Sequence, residues 1–74
     1  MAYASDEKLL KKIAEKLKYL REEKGVSQIE VYNETSVHIG RIETGRVNLS
    51  VSSLSTLCRY FKIKMSDFHK MVEE

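Results

Sequence analysis

The sequence is poor in residues that stiffen or cross-link a chain: it has no proline and one cysteine, Cys58. A single cysteine cannot form an internal disulfide, which is typical of proteins kept in a reducing cytosol. No apolar run approaches the roughly 20 residues that cross a bilayer, and no secretory segment follows Met1. We therefore expect a cytoplasmic protein that makes no membrane contact.

Residue types that support catalysis or metal binding are scarce as well. The chain has two histidines and three glycines, and the glycines do not form a loop that cradles phosphates. His38, His69 and Cys58 lack the spacing of metal ligands, and no paired carboxylates accompany the cysteine. The sequence thus predicts neither an enzyme, nor a metal site, nor a bound cofactor.

The charges are nearly balanced but unevenly placed. Thirteen Lys and Arg residues against eleven acids leave a net charge of +2, which is a weak signal for a nucleic-acid partner. Most lysines precede residue 25, whereas Arg41 and Arg46 are the only Lys or Arg residues between positions 25 and 50. If that part of the chain binds DNA, few cations meet phosphates, and affinity should depend only modestly on salt.

Helical periodicity organises what remains. Apolar residues make up 42% of the 74 and recur at three- and four-residue steps without a useful period-two pattern, which predicts an all-α domain of five helices. We expect residues 1–74 to form one domain with a flexible tail over residues 1–5. The first helix is predicted over Asp6–Lys24, with Ser5 as its N-cap and Gly25 after its end.

The second helix has the clearest beginning in the sequence. Ser27 and Glu30 form the S-x-x-E pattern of a capping box, and Val26 and Val31 occupy the positions of a hydrophobic staple. We expect this helix to end near Glu34. With the helix that follows, it forms a unit at about residues 27–44 whose size suits a DNA major groove.

The third helix is predicted over Ser36–Glu43, with Thr35 as its N-cap. Ile39 and Ile42 should point toward the core because they lie three residues apart. Gly40 costs this helix about 1 kcal/mol relative to alanine. It either lets another backbone approach closely or has no special role.

Two further helices complete the domain. Ser50 suits the N-cap of the fourth helix and Ser66 that of the fifth. The inner face of the fourth helix is predicted to comprise Leu54, Leu57, Cys58 and Phe61, and the fifth helix carries Phe68, Met71 and Val72.

Several stretches of the chain resemble one family in their order and spacing. They are LREEKGVSQ at 20–28, IGRIETGR at 39–46, NLSVSSLSTLCRYFKI at 48–63 and MSDF at 65–68. Over about residues 8–72 the chain resembles the lambda-repressor-like helix-turn-helix domains of phage Cro and repressor type, the XRE family. The distance from Ser27 to Glu43 is about three residues shorter than the family's common spacing. The missing residues are expected near Asn33 to Thr35, where the family usually has a small residue, a glycine and an apolar residue.

The resemblance implies that the third helix lies in the major groove of double-stranded DNA and reads bases with its first residues. The positions that match the family's base-reading ones are Ser36, Val37 and Arg41. Candidates for phosphate contacts flank that helix; they are Gln28, Thr35, His38, Arg46, Asn48 and Ser50.

The resemblance also assigns two structural roles. Arg21 and Glu43 match a partly buried salt bridge that joins the first helix to the end of the third. A homodimer is expected to bind a roughly palindromic operator with its third helices about 34 Å apart. Its interface is predicted at Phe68, Met71 and Val72.

The residues themselves leave simpler roles open. Val37 can be a core residue, Arg41 a solvated helix residue, and Asn48 and Ser50 turn and cap residues. The three apolar residues of the fifth helix can complete the core of the monomer instead of forming a dimer contact.

The function expected from these features is that of a bacterial or phage transcriptional regulator, a repressor or autoregulator that binds DNA as a homodimer. The alternative is a protein-interaction module with the same fold, such as an antitoxin or adaptor. The modest charge and the shortened turn favour this alternative somewhat.

Overall fold

Five α-helices form the part of the chain that the structure, a computed structural model, describes, residues 6–74. They are α1 (Glu7–Lys24), α2 (Gln28–Thr35), α3 (Ile39–Ile42), α4 (Val51–Tyr60) and α5 (Met65–Glu73). The predicted all-α architecture of five helices is confirmed. None of the helices within residues 6–74 has the length and apolar character to cross a membrane.

Local capping sets both ends of α1. Asp6 is its N-cap, because the side-chain Oδ1 accepts a hydrogen bond from the backbone N–H of Leu9 at 3.0 Å. The helix therefore begins one residue later than predicted; the proposed cap Ser5 and the tail over residues 1–5 lie outside the described residues. Gly25 ends the helix as predicted, in the left-handed conformation with φ of 73°.

The predicted capping box begins α2. The hydroxyl of Ser27 accepts a bond from the backbone N–H of Glu30 at 3.1 Å, and the Glu30 carboxylate accepts one from the Ser27 N–H at 2.8 Å. Val31 is fully buried and Val26 packs against the core, so the hydrophobic staple orients the chain that enters α2.

The caps of the last two helices differ from each other. Ser50 caps α4 as predicted, since its hydroxyl accepts a bond from the backbone N–H of Ser53 at 3.0 Å. The prediction that Ser66 caps the fifth helix is wrong. The carbonyl of Lys64 already accepts the N–H of Phe68 at 2.9 Å, so α5 begins at Met65 and Ser66 lies inside its first turn.

All five helices contribute to one core. Helix α5 packs on α1 and α4, and α2 packs on α3 and α4. Burying a large apolar side chain stabilises the fold by about 1.5–3 kcal/mol. The most deeply buried side chains are Leu17, Val31, Ile39, Leu57, Cys58 and Phe68, with Ile42 and Val72 nearly as enclosed. Burial also raises the pKa of the Cys58 thiol, as expected for a core cysteine that stays protonated.

This core corrects part of the predicted dimer interface. Phe68 and Val72 are buried within the core of the monomer, so they offer little surface to a second subunit. Met71 remains partly exposed.

Gly45 follows α3 and lies against α1, where its conformation and its surroundings both favour glycine. Its φ of 76° lies in the left-handed region, and a Cβ at this position would be 3.2 Å from Cγ of Lys11. Gly25 has a similar φ of 73°, but a Cβ there would meet no atom within 4 Å. The two glycines therefore share the conformational constraint and differ in crowding.

We expect Gly45→Ala to lower the free energy of unfolding more than Gly25→Ala does. In both variants the left-handed conformation of alanine lowers the free energy of unfolding by about 1–2 kcal/mol. Gly45→Ala also has to displace the side chain of Lys11. Urea unfolding followed by circular dichroism measures the two losses. Equal losses would mean that the contact with Lys11 does not constrain Gly45.

Candidate nucleic-acid interface

The junction between α2 and α3 is a turn organised by Thr35. Thr35 is the last residue of α2. The prediction that it is the N-cap of the third helix is wrong, because His38 occupies that position. The hydroxyl of Thr35 donates to the carbonyl of Val31 at 2.7 Å and accepts the N–H of Val37 at 3.0 Å. Thr35 thereby stabilises the turn, and a phosphate oxygen could accept its hydroxyl proton only by displacing the carbonyl of Val31.

Ser36 explains why the third helix starts later than predicted. Its φ of 62° is left-handed, and no right-handed helix continues through such a residue. The first carbonyl that accepts helical bonds is that of His38, from Arg41 and Ile42. The helix predicted over residues 36–43 therefore shrinks to the single turn Ile39–Ile42.

The residues of this turn differ in character. Thr35 is small, Ser36 has the backbone conformation that glycine favours, and Val37 is apolar and packs against the core. Residues 35–37 thus form the turn between α2 and α3. Where the chain is shorter than the family's common spacing stays a prediction.

The late beginning of α3 changes which of the predicted base-reading residues belong to this helix. Ser36 and Val37 precede the helix, and Val37 is partly buried whereas Ser36 is exposed. Ile39 and Ile42 face the core. Arg41 is the exposed side chain of α3, so it alone among the three candidates can project from this helix toward a partner.

A shallow surface depression surrounds Arg41. It is lined by the side chains of α2 that face α3 and by the beginning of α3, namely Gln28, Ile29, Tyr32, His38, Ile39, Gly40 and Arg41. The rings of Tyr32 and His38 stack with their centroids 4.3 Å apart and an interplanar angle of 26°. The predicted residues Gln28, His38 and Arg41 thus meet in one place.

Two residues of this surface, Ile29 and Tyr32, were missed by reasoning from the sequence. Ile29 is 71% exposed and Tyr32 is 42% exposed. The available signal was their spacing, because residues three apart share a helix face and this face differs from that of buried Val31. Large apolar side chains on an outward face often belong to an interface.

The carboxylate of Glu43 connects this surface to α1. Its side chain is only 5% exposed. One oxygen, Oε2, accepts Nε of Arg21 at 2.7 Å, and Oε1 accepts Nη2 of Arg21 at 3.1 Å and Nε2 of Gln28 at 2.9 Å. The ion pair that the family resemblance implied is thus present, with an additional glutamine.

The guanidinium of Arg21 is fixed by hydrogen bonds to Glu43 and to the backbone. Its Nη1 donates to the carbonyl of Val26 at 3.0 Å, and the hydrogen bond with Glu43 raises its pKa above the ordinary value. The planar guanidinium therefore bridges a carboxylate and a carbonyl in fixed geometry, which an ammonium group cannot reproduce.

The loop after α3 carries the remaining predicted phosphate contacts. Arg46 and Asn48 are exposed, whereas the hydroxyl of Ser50 is engaged as the cap of α4. The backbone N–H of Arg46 donates to Thr44 Oγ1 at 3.3 Å. Helix α1 adds two cations near this loop that the sequence analysis did not predict there. In a second depression, Lys11 and Lys18 lie beside Thr44 and Gly45. The depression is also lined by Ala14, Glu15 and Glu43.

Within residues 6–74, no three side chains of His, Cys, Asp or Glu lie close enough together to hold an ion.

Comparison with known protein families gives a match. A family model described as helix-turn-helix covers residues 17–68, which include all of α2, α3 and α4 and both partners of the Arg21–Glu43 pair. The chain belongs to this family. The family is that of XRE, or lambda-repressor-like, DNA-binding regulators. Searches of curated proteins and of solved structures gave no significant match.

We expect Glu43→Ala to destabilise this helix-turn-helix domain by about 2–3 kcal/mol, because it removes three hydrogen bonds and leaves the charge of Arg21 partly buried without its partner. Chemical unfolding measures the loss. Glu34→Ala, which removes an exposed carboxylate from α2, is the matched control and should change stability by less than about 0.5 kcal/mol. An unchanged unfolding midpoint for Glu43→Ala would contradict a structural role for the pair.

Proposed function

We propose that this helix-turn-helix domain binds double-stranded DNA sequence-specifically as a homodimer and acts as a transcriptional repressor or autoregulator. The observation that carries the proposal is the exposed Arg41 of α3, which lies beside Gln28 at the N-terminus of α2 in one surface depression. A bound protein excludes others from its site, so occlusion of a promoter is the simplest mode of repression.

Arg41 is the proposed base-reading residue. A guanidinium can donate two parallel hydrogen bonds to O6 and N7 of guanine in the major groove, which discriminates against other bases by about 1–3 kcal/mol. Because Ile39 and Ile42 face the core, α3 offers few other side chains to bases. We therefore propose that each subunit reads a short half-site in which one guanine dominates.

Phosphate contacts are proposed on both sides of Arg41. The amide of Gln28 and the backbone N–H groups that begin α2 form one donor group, since a helix N-terminus attracts anions. Arg46 in the loop after α3 forms the other, with Lys11 of α1 beside the preceding residue, Gly45. These contacts position the domain without reading sequence.

We expect Arg41→Ala and Arg46→Ala to affect DNA binding in different ways. Arg41→Ala should lose about 1–3 kcal/mol on the selected operator and relax the preference for guanine. Arg46→Ala should weaken all duplexes alike and lower the salt slope by about 1. Operators selected from a random duplex pool and fluorescence anisotropy at several salt concentrations supply the measurement.

Arg59→Ala removes an exposed arginine near the far end of α4 and serves as the control. It should leave both affinity and salt slope unchanged. Equal losses for Arg41→Ala on all sequences would reject its assignment to bases.

The dimer contact is proposed at the face shared by α1 and α5. Tyr19 is 51% exposed, and it lines one depression together with Glu15, Lys16, Met71 and Glu74. A two-fold axis places the same surface on both subunits. Glu15 of one copy can therefore pair with Lys16 of the other around an apolar centre formed by Tyr19 and Met71.

We expect Met71→Asp to convert the dimer into a monomer in analytical ultracentrifugation, because two carboxylates would meet near the symmetry axis without compensation. Val51→Asp is the matched control, since Val51 is an exposed apolar residue at the beginning of α4 and away from this face. A Met71→Asp protein that remains dimeric would exclude the surface.

A second candidate function is that of a protein-interaction module. The observation that favours it is the exposure of Ile29 and Tyr32 beside Arg41, since apolar side chains rimmed by polar groups suit a protein partner. Failure of the protein to bind any duplex even at low salt would favour this candidate over the DNA regulator.

A further inference from the structure

Gln28 is exposed at the beginning of α2, yet its side chain is anchored. Its Nε2 donates to Oε1 of Glu43 at 2.9 Å. The reverse orientation of the amide would place two acceptor oxygens against each other, so the chemistry of the partner determines which atom faces Glu43. Because Arg21 holds the carboxylate with two bonds of its own, the anchor itself is rigid.

Gly40 provides the space in which the anchored amide lies. A Cβ at this position would be 2.9 Å from Oε1 of Gln28 and 3.3 Å from its Cδ. Gly40 has no positive φ, so its backbone conformation does not require glycine. What requires glycine is the side chain of Gln28. The neighbour that approaches Gly40 is thus a side chain, and not the backbone that was one possibility from the sequence.

We propose that Gly40 is a positioning residue for DNA binding. Its missing Cβ lets Glu43 hold the amide of Gln28 beside Arg41, which leaves the second N–H of Nε2 to donate to a phosphate oxygen. The inference rests on the proposed function. It adds that a preorganised glutamine, rather than a freely rotating one, makes this contact, because an anchored side chain loses less rotamer freedom on binding.

The identity of the displaced atoms separates this role from a structural one. Alanine at position 40 would meet the far end of a flexible side chain and no backbone atom of another segment. Gln28 can rotate into solvent at little cost to the fold. Alanine also favours a helix more than glycine does. Gly40→Ala should therefore displace Gln28 while the domain stays as stable as the natural one or becomes more stable.

The test combines Gly40→Ala with Gln28→Ala. We expect Gly40→Ala to raise the Kd for the selected operator about fivefold, the effect of losing one net hydrogen bond, with an unchanged or higher Tm. In the Gln28→Ala background the same substitution should leave the Kd unchanged, because no amide remains to be displaced. An unchanged Kd for Gly40→Ala, or equal losses in both backgrounds, would overturn the inference.

NMR of the DNA-free protein separates this inference from the proposed function. In the natural chain the side-chain amide resonances of Gln28 should differ from those of a solvated glutamine, and Gly40→Ala should move them to solvated values. Resonances that Gly40→Ala does not move would overturn the positioning role. A natural protein that binds no duplex would overturn the proposed function and the DNA contact together, whereas duplex binding that Gly40→Ala leaves intact would overturn the inference alone.

Discussion

One largely buried carboxylate, that of Glu43, connects three segments of this domain. It accepts hydrogen bonds from Arg21 of α1 and Gln28 of α2, and it lies directly after α3. A helix of a single turn is too short to be stable alone, because its few internal bonds do not offset the entropy of nucleation. The position of α3 therefore depends on the burial of Ile39 and Ile42 and on this carboxylate.

The short α3 exposes few side chains. Arg41 is the exposed one, flanked by Gln28 and by the stacked rings of Tyr32 and His38. Under the proposed function, recognition of bases therefore depends on few residues. Orientation then matters more than number. The network around Glu43 supplies that orientation, since it sets the beginning of α2 against the end of α3 through bonds that involve charged groups.

The predicted features that the structure confirms are those that depend on neighbouring residues along the chain. The capping box of Ser27 and Glu30, the left-handed end at Gly25 and the cap at Ser50 each follow from residues within four positions of one another. The prediction failed at the beginning of α3, because residues 36–38 also fit a helical pattern. The left-handed φ of Ser36 and the packing of Val37 against the core show that these residues form the turn.

The sequence by itself determined the five-helix class, the helix boundaries at Gly25, Ser27 and Ser50, and the likeness to a helix-turn-helix family, since the spacing of apolar and capping residues encodes local structure. Tertiary structure alone decided three further points: the burial of Phe68 and Val72 within the monomer, the placement of Lys11 beside Gly45, and the contact of the Gln28 side chain with Gly40. The reason is that a helical repeat specifies which side chains share a face, but only the packing of helices specifies what covers that face.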